Sequence, residues 1–158
     1  MSRQQRFNFT EFVRIIFGFI IFASGLLKVF DLSGFVDTVA AFDLLPTFLV
    51  PIAAYTLPFI EIVLGLFILS KKFLFMTLSI TTIILTIFLA IVSLKFIEGA
   101  KISCGCFGLL SKENISIYTL LRDIVILGMC VYLNIKFTAN KDQGVALKIV
   151  MPILLILL

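Results

Sequence analysis

The sequence predicts an all-α integral membrane protein, built as a four-helix bundle with a short C-terminal apolar segment. The 158 residues are 61% hydrophobic and only 14% charged, and the mean hydropathy is +1.22. A water-soluble domain of this size could not cover so apolar a surface with so little charge, so lipid must solvate much of it. Four apolar stretches are also long enough to cross a hydrocarbon core, which needs about 20 residues of helix.

These stretches follow one another along the chain and predict spans over residues 12–30, 48–70, 73–96 and 117–137. A fifth apolar piece, residues 149–158, is too short to span; it could lie at the interface, pack on the bundle or begin a further helix. A cleaved signal peptide is the rival interpretation of the N-terminus, but the first apolar run continues past its small-residue site. No repeat or linker divides the chain, so residues 1–158 are predicted to form a single transmembrane domain.

Basic residues predict the orientation, because cytoplasmic loops near membrane spans are enriched in lysine and arginine. They gather before the first span, between the second and third, and after the fourth: Arg3, Arg6, Lys71, Lys72, Lys136, Lys141 and Lys148. These positions alternate so that all can share the cytoplasmic side. The acidic connection after the first span and the mixed loop 97–116 are then predicted to face outside.

Composition also excludes several classes of site. Histidine is absent, which removes the usual haem ligand, most zinc sites and histidine acid–base catalysis. The net charge of +4 is interpreted as loop charge that sets orientation. No basic run with interleaved exposed aromatic residues indicates binding to RNA or DNA, so the lipid bilayer is the expected partner and nucleic acid is not.

The few polar and small residues inside the spans fall on one face of each helix. Residues three and four apart share a face, and small residues let membrane helices approach closely. These stripes predict that the four helices close into a bundle: Arg14, Gly18, Gly25 and Lys28; Ala54, Pro58, Glu61 and Gly65; Ser79, Thr82, Thr86 and Ser93; and Asp123, Cys130 and Asn134.

Glu61 lies near the middle of the second predicted span, where a charged carboxylate is costly unless it is paired or protonated. Lys28 and Arg122, both toward the outer side, are its candidate partners. Two interpretations stay open: a structural ion pair or neutral Glu61, and a proton relay or tuning charge for the thiols. Arg14, near the inner boundary, is predicted to extend to the interface as an anchor.

Cys104 and Cys106, one residue apart in the loop 97–116, are the candidate reactive groups. Two thiols without histidine are too few for a zinc site or an iron–sulfur cluster, so no metal is predicted. A disulfide closed across one residue forms a small strained ring, which should be easily reduced. Lys101 and Arg122 would favour the thiolate. The pattern favours a redox-active pair over a static disulfide or two free thiols, whereas Cys130 is predicted to pack as a small hydrophobe.

Several short motifs occur in the order found in one known family. They are Ser24-Gly25-Leu26-Leu27-Lys28 with Asp31, Leu44-Leu45-Pro46, Leu57-Pro58 with Glu61 and Gly65, the segment CGCFG at 104–108, and Ser116 through Arg122-Asp123. From Arg14 to about Asn134 the chain resembles the MauE branch of the DoxX-like redox-associated membrane proteins, the methylamine utilisation protein MauE family.

The resemblance implies a four-helix protein of the bacterial inner membrane that supports the maturation of an exported protein. On that view the N-terminus is cytoplasmic, the loop 97–116 is extracytoplasmic, and the partner is a thioredoxin-like or cysteine-rich exported protein. Carried over residue by residue, Cys104 and Cys106 match the family's thiol pair, and Lys28, Glu61 and Arg122 match its charged positions. Neither the substrate protein nor a link to methylamine follows from the resemblance.

Three functions are therefore weighed. The preferred one is thiol–disulfide exchange by the outward-facing pair, the activity of an oxidoreductase-like enzyme without a cofactor. The second is a non-catalytic assembly or docking subunit in which the two cysteines form a structural bridge. The third is a quinone-linked oxidoreductase subunit with a ring site near Glu61, for which the sequence offers no direct support.

Overall fold

The structure is a computed structural model that describes the backbone of residues 3–100, 102 and 115–139 and the side chains of residues 9–100, 102 and 115–137. Within that part the chain forms helices only: α1 (Arg3–Phe30), α2 (Leu32–Ala41), α3 (Leu49–Ser70), α4 (Leu74–Ile97) and α5 (Ile117–Ala139). The predicted all-α class is confirmed. The predictions made for Cys104, Cys106 and the segment 149–158 fall outside the described residues.

Three helical segments are long and apolar enough to cross a membrane: Phe9–Phe30, Leu49–Ser70 and Leu74–Ile97. They coincide with the first three predicted spans. Their outward faces carry large apolar side chains, such as Phe19, which is 62% exposed, and Phe59, which is 57% exposed, as lipid contact requires. The fourth predicted span coincides with α5, and its crossing of the membrane stays a prediction.

The four long helices form a closed ring in which α1 packs on α3, α3 on α4, α4 on α5 and α5 on α1. The largest buried cluster lies at the centre of this ring and draws on all four helices: Phe17, Ile21, Leu64, Ile68, Leu78, Cys130 and Leu133. The predicted four-helix bundle is therefore the observed architecture of the described chain.

α1 and α3 approach each other closely because glycine lies at their contacts. A Cβ atom at Gly65 would lie 2.7 Å from the backbone nitrogen of Phe22, and one at Gly25 would lie 2.7 Å from the carbonyl oxygen of Pro58. Any larger side chain would push the two backbones apart. α3 runs as one helix from Leu49 to Ser70 with Pro58 inside it. The small-residue stripes predicted for these two helices are thus the α1–α3 interface.

The short helix α2 was not expected in the connection after the first span. Asp31 caps its N-terminus by accepting a hydrogen bond from the backbone nitrogen of Gly34 at 3.2 Å. The helix packs on α3 and α1 and buries Phe35 against them. α2 therefore covers one end of the bundle instead of forming an open loop.

The Arg14 side chain is buried against α3 instead of extending outward as predicted. Its side chain is only 4% exposed, and its guanidinium donates hydrogen bonds to the carbonyl oxygens of Ile68 and, at 2.9 Å, Leu69. The last carbonyls of a helix have no partner within the helix, so Arg14 caps α3 from α1. Glu11 completes the contact by pairing with Arg14 at 2.9 Å and with Lys71 at 2.8 Å.

α4 and α5 are joined by a buried polar contact near their middle. The Thr82 hydroxyl lies 3.3 Å from the Cys130 sulfur and accepts a hydrogen bond from the Asn134 amide at 3.2 Å. Cys130 is fully buried in the central cluster, in agreement with its predicted packing role. The contact of Cys130 with Thr82 on α4 was not predicted. It fixes the position of the thiol in the α4–α5 interface.

A second apolar cluster lies at the end of the bundle that α2 covers. It is built on Phe42 and Val92, with Phe88, Ile91, Ile102, Ile115 and Leu120 packed against them. The backbone nitrogen of Ile115 donates to the carbonyl oxygen of Ile102 at 2.9 Å. This loop-base cluster holds together the two described residues that flank the segment 103–114.

Candidate functional site

Lys28 and Glu61 form an ion pair between α1 and α3. The ammonium nitrogen of Lys28 lies 2.5 Å and 2.6 Å from the two carboxylate oxygens of Glu61. Both groups contact Ser24: Lys28 donates to its hydroxyl oxygen at 3.1 Å, and the hydroxyl donates to Glu61 at 3.2 Å. Of the two partners predicted for Glu61, the structure pairs it with Lys28.

The pair is set in place by the same close approach of α1 and α3. Ser24 and Lys28 are one turn apart on α1, and Gly25 between them allows Pro58 and Glu61 on α3 to come near. The side chains of Lys28 and Glu61 are 6% and 22% exposed. Charges so far from water are tolerated only when they are paired and hydrogen-bonded, and this triad meets that condition.

Asp123 and Arg122 bring a second pair of charges to the site from α5. Arg122 donates to one carboxylate oxygen of Asp123 from two nitrogens, at 3.1 Å and 3.0 Å. Asp123 is 8% exposed and lines the same cavity as Lys28. Lys28 therefore shares this cavity with two carboxylates, its partner Glu61 on α3 and Asp123 on α5.

Phe35 of α2 completes the surroundings of Lys28. The ammonium nitrogen lies 5.4 Å from the centre of the Phe35 ring, within the range of a cation–π contact. The ring also closes the cluster off at the α2 end of the bundle. The charged cluster, defined here as Ser24, Lys28, Glu61, Arg122 and Asp123, is thus enclosed by helices α1, α2, α3 and α5.

The charged cluster lines a cavity of about 90 Å³ inside the bundle. Its polar lining residues are Ser24, Lys28, Glu61 and Asp123. Its other walls are apolar and come from all five helices: Ile20, Ile21, Phe35, Leu57, Ile84, Leu85, Phe88 and Ile126. A cavity of this size, with a few charged groups and an otherwise apolar lining, has room for a few water molecules or a very small ligand.

The predicted charged residues Lys28, Glu61 and Arg122 are therefore brought to one place by the fold. Sequence reasoning did not assign Ser24, Phe35 or Asp123 to the site. Ser24 could have been found because it lies one turn before Lys28 on the same face. Phe35 could not have been found in this way, because no pattern in the sequence indicates a helix such as α2 beside the cluster.

The thiol pair itself lies in the segment 103–114, and its two flanks lie at the cavity end of the bundle. Phe88 contacts both regions, since it packs on the loop-base cluster and also lines the cavity. Among the described residues, no group of three histidine, cysteine, aspartate or glutamate side chains could hold a metal ion. The side chains that line the cavity can form hydrogen bonds, and the carboxyl groups of Glu61 and Asp123 are its groups that can exchange protons.

Comparison with protein families gives one match. The family model described as methylamine utilisation protein MauE matches residues 6–135. Neither the curated proteins nor the solved structures gave a match. The matched range covers α1 from Arg6 onward, all of α3 and α4, and α5 as far as Ile135. It also contains the charged cluster and the Cys104-Gly105-Cys106 segment. The chain is therefore a membrane protein that belongs to the MauE family.

Proposed function

We propose that this protein is a membrane-embedded thiol–disulfide protein that supports disulfide formation and maturation of an exported protein. The observation that carries the proposal is the Cys104-Gly105-Cys106 segment, in a connection whose flanks Ile102 and Ile115 are held together at one end of a membrane bundle. Cys104 follows Ile102 by two residues, a stretch of chain that spans at most about 7 Å. Membership of a methylamine utilisation family is compatible with this role.

The proposed reaction is an exchange between two dithiol–disulfide couples. The Cys104 thiolate attacks a disulfide sulfur of the partner and expels the partner's other cysteine as a thiolate, which leaves a mixed disulfide. The Cys106 thiolate then attacks the Cys104 sulfur and releases the partner as a dithiol. In this direction two electrons and the corresponding protons pass from the cysteine pair to the partner. Disulfide formation in the partner is the reverse sequence: a partner thiolate attacks the Cys104 sulfur of a Cys104–Cys106 disulfide, Cys106 leaves as a thiolate, and the partner's second thiolate then closes the partner disulfide and releases Cys104.

The side of the membrane follows from the distribution of charge. Lys71 and Lys72 lie in the turn between α3 and α4, at the end of the bundle opposite the loop-base cluster. Because basic loops favour the cytoplasm, the end with α2 and the thiols is assigned to the extracytoplasmic side. Disulfides persist in that compartment, where a thioredoxin-like or cysteine-rich exported partner would be available.

Trapping the mixed disulfide tests the proposal. In a Cys106→Ser variant the second attack is impossible, so a covalent adduct with the partner should accumulate and should dissolve on reduction. Cys130→Ser is the matched control, because Cys130 is buried between α4 and α5 and should leave the trapping unchanged. If cells with Cys104→Ser and Cys106→Ser mature all their exported disulfide proteins normally, the proposed exchange is wrong. A pair that stays oxidised and never reacts with alkylating agents indicates a structural bridge in a docking subunit.

A further inference from the structure

We infer that an apolar groove between the start of α4 and the end of α5 binds an anionic phospholipid. The headgroup phosphate lies at Lys71 and Lys72, and part of one acyl chain lies in the groove. The inference is separate from the proposed exchange reaction and uses none of the cysteines. It is carried by the lining of the groove, by the charge at its rim and by its place at the boundary of the hydrocarbon core.

The groove is apolar and open. Its volume is about 400 Å³, compared with about 90 Å³ for the cavity at the charged cluster. That is the liquid volume of roughly a dozen water molecules, enough for several methylene groups of an acyl chain. Phe73 and Met76 are 75% and 64% exposed, so the groove opens to the surroundings of the bundle. Its described lining is apolar except for one lysine: Lys71, Phe73, Leu74, Phe75, Met76 and Phe137.

The rim of the groove carries an excess of positive charge. Glu11, the carboxylate that pairs with Lys71, also pairs with Arg14, so two cations share one anion. Lys72 is exposed in the same turn and adds a third cation. The side chain of Lys71 is 50% exposed, so its ammonium can contact a phosphate oxygen as well as Glu11. A phosphodiester with one negative charge complements this rim.

The turn that carries the two lysines is short and strained. Lys71 and Phe73 have φ angles of 59° and 48°, a backbone conformation that residues with bulky side chains rarely adopt. Such outliers persist where the surrounding structure holds them, and they are frequent where ligands bind. Here they let the chain reverse between Ser70, the last residue of α3, and Leu74, the first of α4. The reversal keeps both lysines beside the apolar start of α4.

The groove also lies at the depth of a lipid headgroup. α3 and α4 are each apolar and long enough to cross the membrane, so the turn between them lies at the edge of the hydrocarbon core. Lipid is the natural occupant of an open apolar groove at that depth, and basic residues there select among lipids by charge. A zwitterionic lipid offers the same chains, but its own cationic group offsets the attraction of its phosphate to the lysines.

Quenching of tryptophan fluorescence by brominated lipids tests the inference, because the chain contains no tryptophan of its own. Met76→Trp places a fluorophore on the groove wall. Leu66→Trp is the matched control, since Leu66 is 48% exposed, lies one turn before the end of α3 and is outside the groove. Each variant is reconstituted in vesicles of equal parts phosphatidylglycerol and phosphatidylcholine, in which one or the other lipid carries the bromine.

At Met76→Trp the apparent affinity for phosphatidylglycerol should exceed that for phosphatidylcholine about fivefold or more, because one lysine near anionic lipid contributes roughly that factor. At Leu66→Trp the two lipids should quench almost equally. Lys71→Gln/Lys72→Gln should reduce the preference at Met76→Trp to the level of the control. Lys72→Gln alone leaves the pair of Lys71 with Glu11 intact and should remove part of the preference. Lys95→Gln, in the last turn of α4, should leave the preference unchanged.

A preference for the anionic lipid that is confined to Met76→Trp and lost with the lysines supports the inference. Equal quenching by the two lipids at Met76→Trp overturns it, as does the same preference at Leu66→Trp or a preference that survives the loss of both lysines. Weak quenching by either lipid overturns it as well and indicates that protein fills the groove, either residues 140–158 of the same chain or a second copy. None of these outcomes affects the trapping experiment with Cys106→Ser.

Discussion

Lys28 is the residue on which most of the site's interactions converge. It pairs with Glu61, shares a cavity with Asp123 and contacts the Phe35 ring, and it is almost completely buried. Its charge is stable there only because the acidic groups compensate it, and their charges are stable for the same reason. The site is consequently a coupled unit in which removal of one charge disturbs the others.

Replacement of one member of the Lys28–Glu61 pair should destabilise the bundle strongly. Lys28→Met leaves the partly buried Glu61 without its main cation and should cost roughly 3–5 kcal/mol of folding free energy, whereas Lys28→Met/Glu61→Leu should cost less than either single change. Thermal unfolding in detergent measures the stability of the parent protein, the two single variants and the double variant. Lys95→Met is the control: its partner Glu98 is 58% exposed, so the loss should be at most about 1 kcal/mol. Additive losses from the two single changes would contradict the coupling.

Gly65 is the residue that sets the distance between α1 and α3. Gly65→Ala forces a Cβ atom to within 2.7 Å of the Phe22 backbone nitrogen, and backbone cannot move aside as a side-chain tip can. The expected loss is about 1–3 kcal/mol of folding free energy, seen as a lower melting temperature. Gly128→Ala on α5 meets no atom within 4 Å and should be neutral or stabilising by up to about 1 kcal/mol. Equal effects of the two substitutions would show that α1 and α3 are not in close contact.

At the scale of the helices, the apolar runs predicted the long elements well. α3, α4 and α5 begin and end within two residues of their predicted spans, because a break such as Lys71-Lys72 cannot remain within the hydrocarbon core. α1 starts well before its predicted span, since its first turns are polar and carry no hydropathy signal. Helical spacing also placed Lys28 and Glu61 on facing surfaces.

What the sequence could not predict depends on contacts between helices. α2 has only ten residues, and Asp31 and Phe35 acquire their roles only when α1 and α3 are already packed. From the sequence, the Arg14 side chain can either extend to water or cap the end of a helix. The position of the last carbonyls of α3 decides between these two arrangements. The pairing of Arg122 with its neighbour Asp123 likewise depends on the angle at which α5 enters the bundle.

The Arg14 cap should matter to α3 as an element. Arg14→Met removes two hydrogen bonds from a charged donor to the carbonyls of Ile68 and Leu69, each worth about 1.5–3 kcal/mol. Hydrogen exchange should then quicken in the last turn of α3 before it quickens in the middle of the helix. Arg14→Lys, which keeps the charge but lacks the planar fork, should restore only part of the protection. Unchanged exchange at the end of α3 in Arg14→Met would contradict the cap.

At the scale of the whole molecule, one end of the bundle collects the features that the proposed function needs. The base of the thiol-bearing segment, the cover formed by α2 and the cavity with its charged cluster are all at that end. The opposite end has the Glu11 contacts with Arg14 and Lys71, which join α1 to the end of α3 and the turn that follows it. The features that the proposed function uses therefore lie at one end of the bundle, and the Arg14 cap of α3 lies at the other.

The direct test of this polarity is cysteine labelling in cells with a membrane-impermeant maleimide. The outer membrane is permeabilised, disulfides are reduced, and the protein carries Cys130→Ala so that only Cys104 and Cys106 can react. Lys72→Cys in a protein without native cysteines reports the opposite end, because Lys72 is exposed in the turn after α3. We expect Cys104 and Cys106 to be labelled in intact cells and Lys72→Cys only after lysis. Labelling of Lys72→Cys in intact cells, with Cys104 and Cys106 protected until lysis, would contradict the assigned orientation and the extracytoplasmic exchange that depends on it.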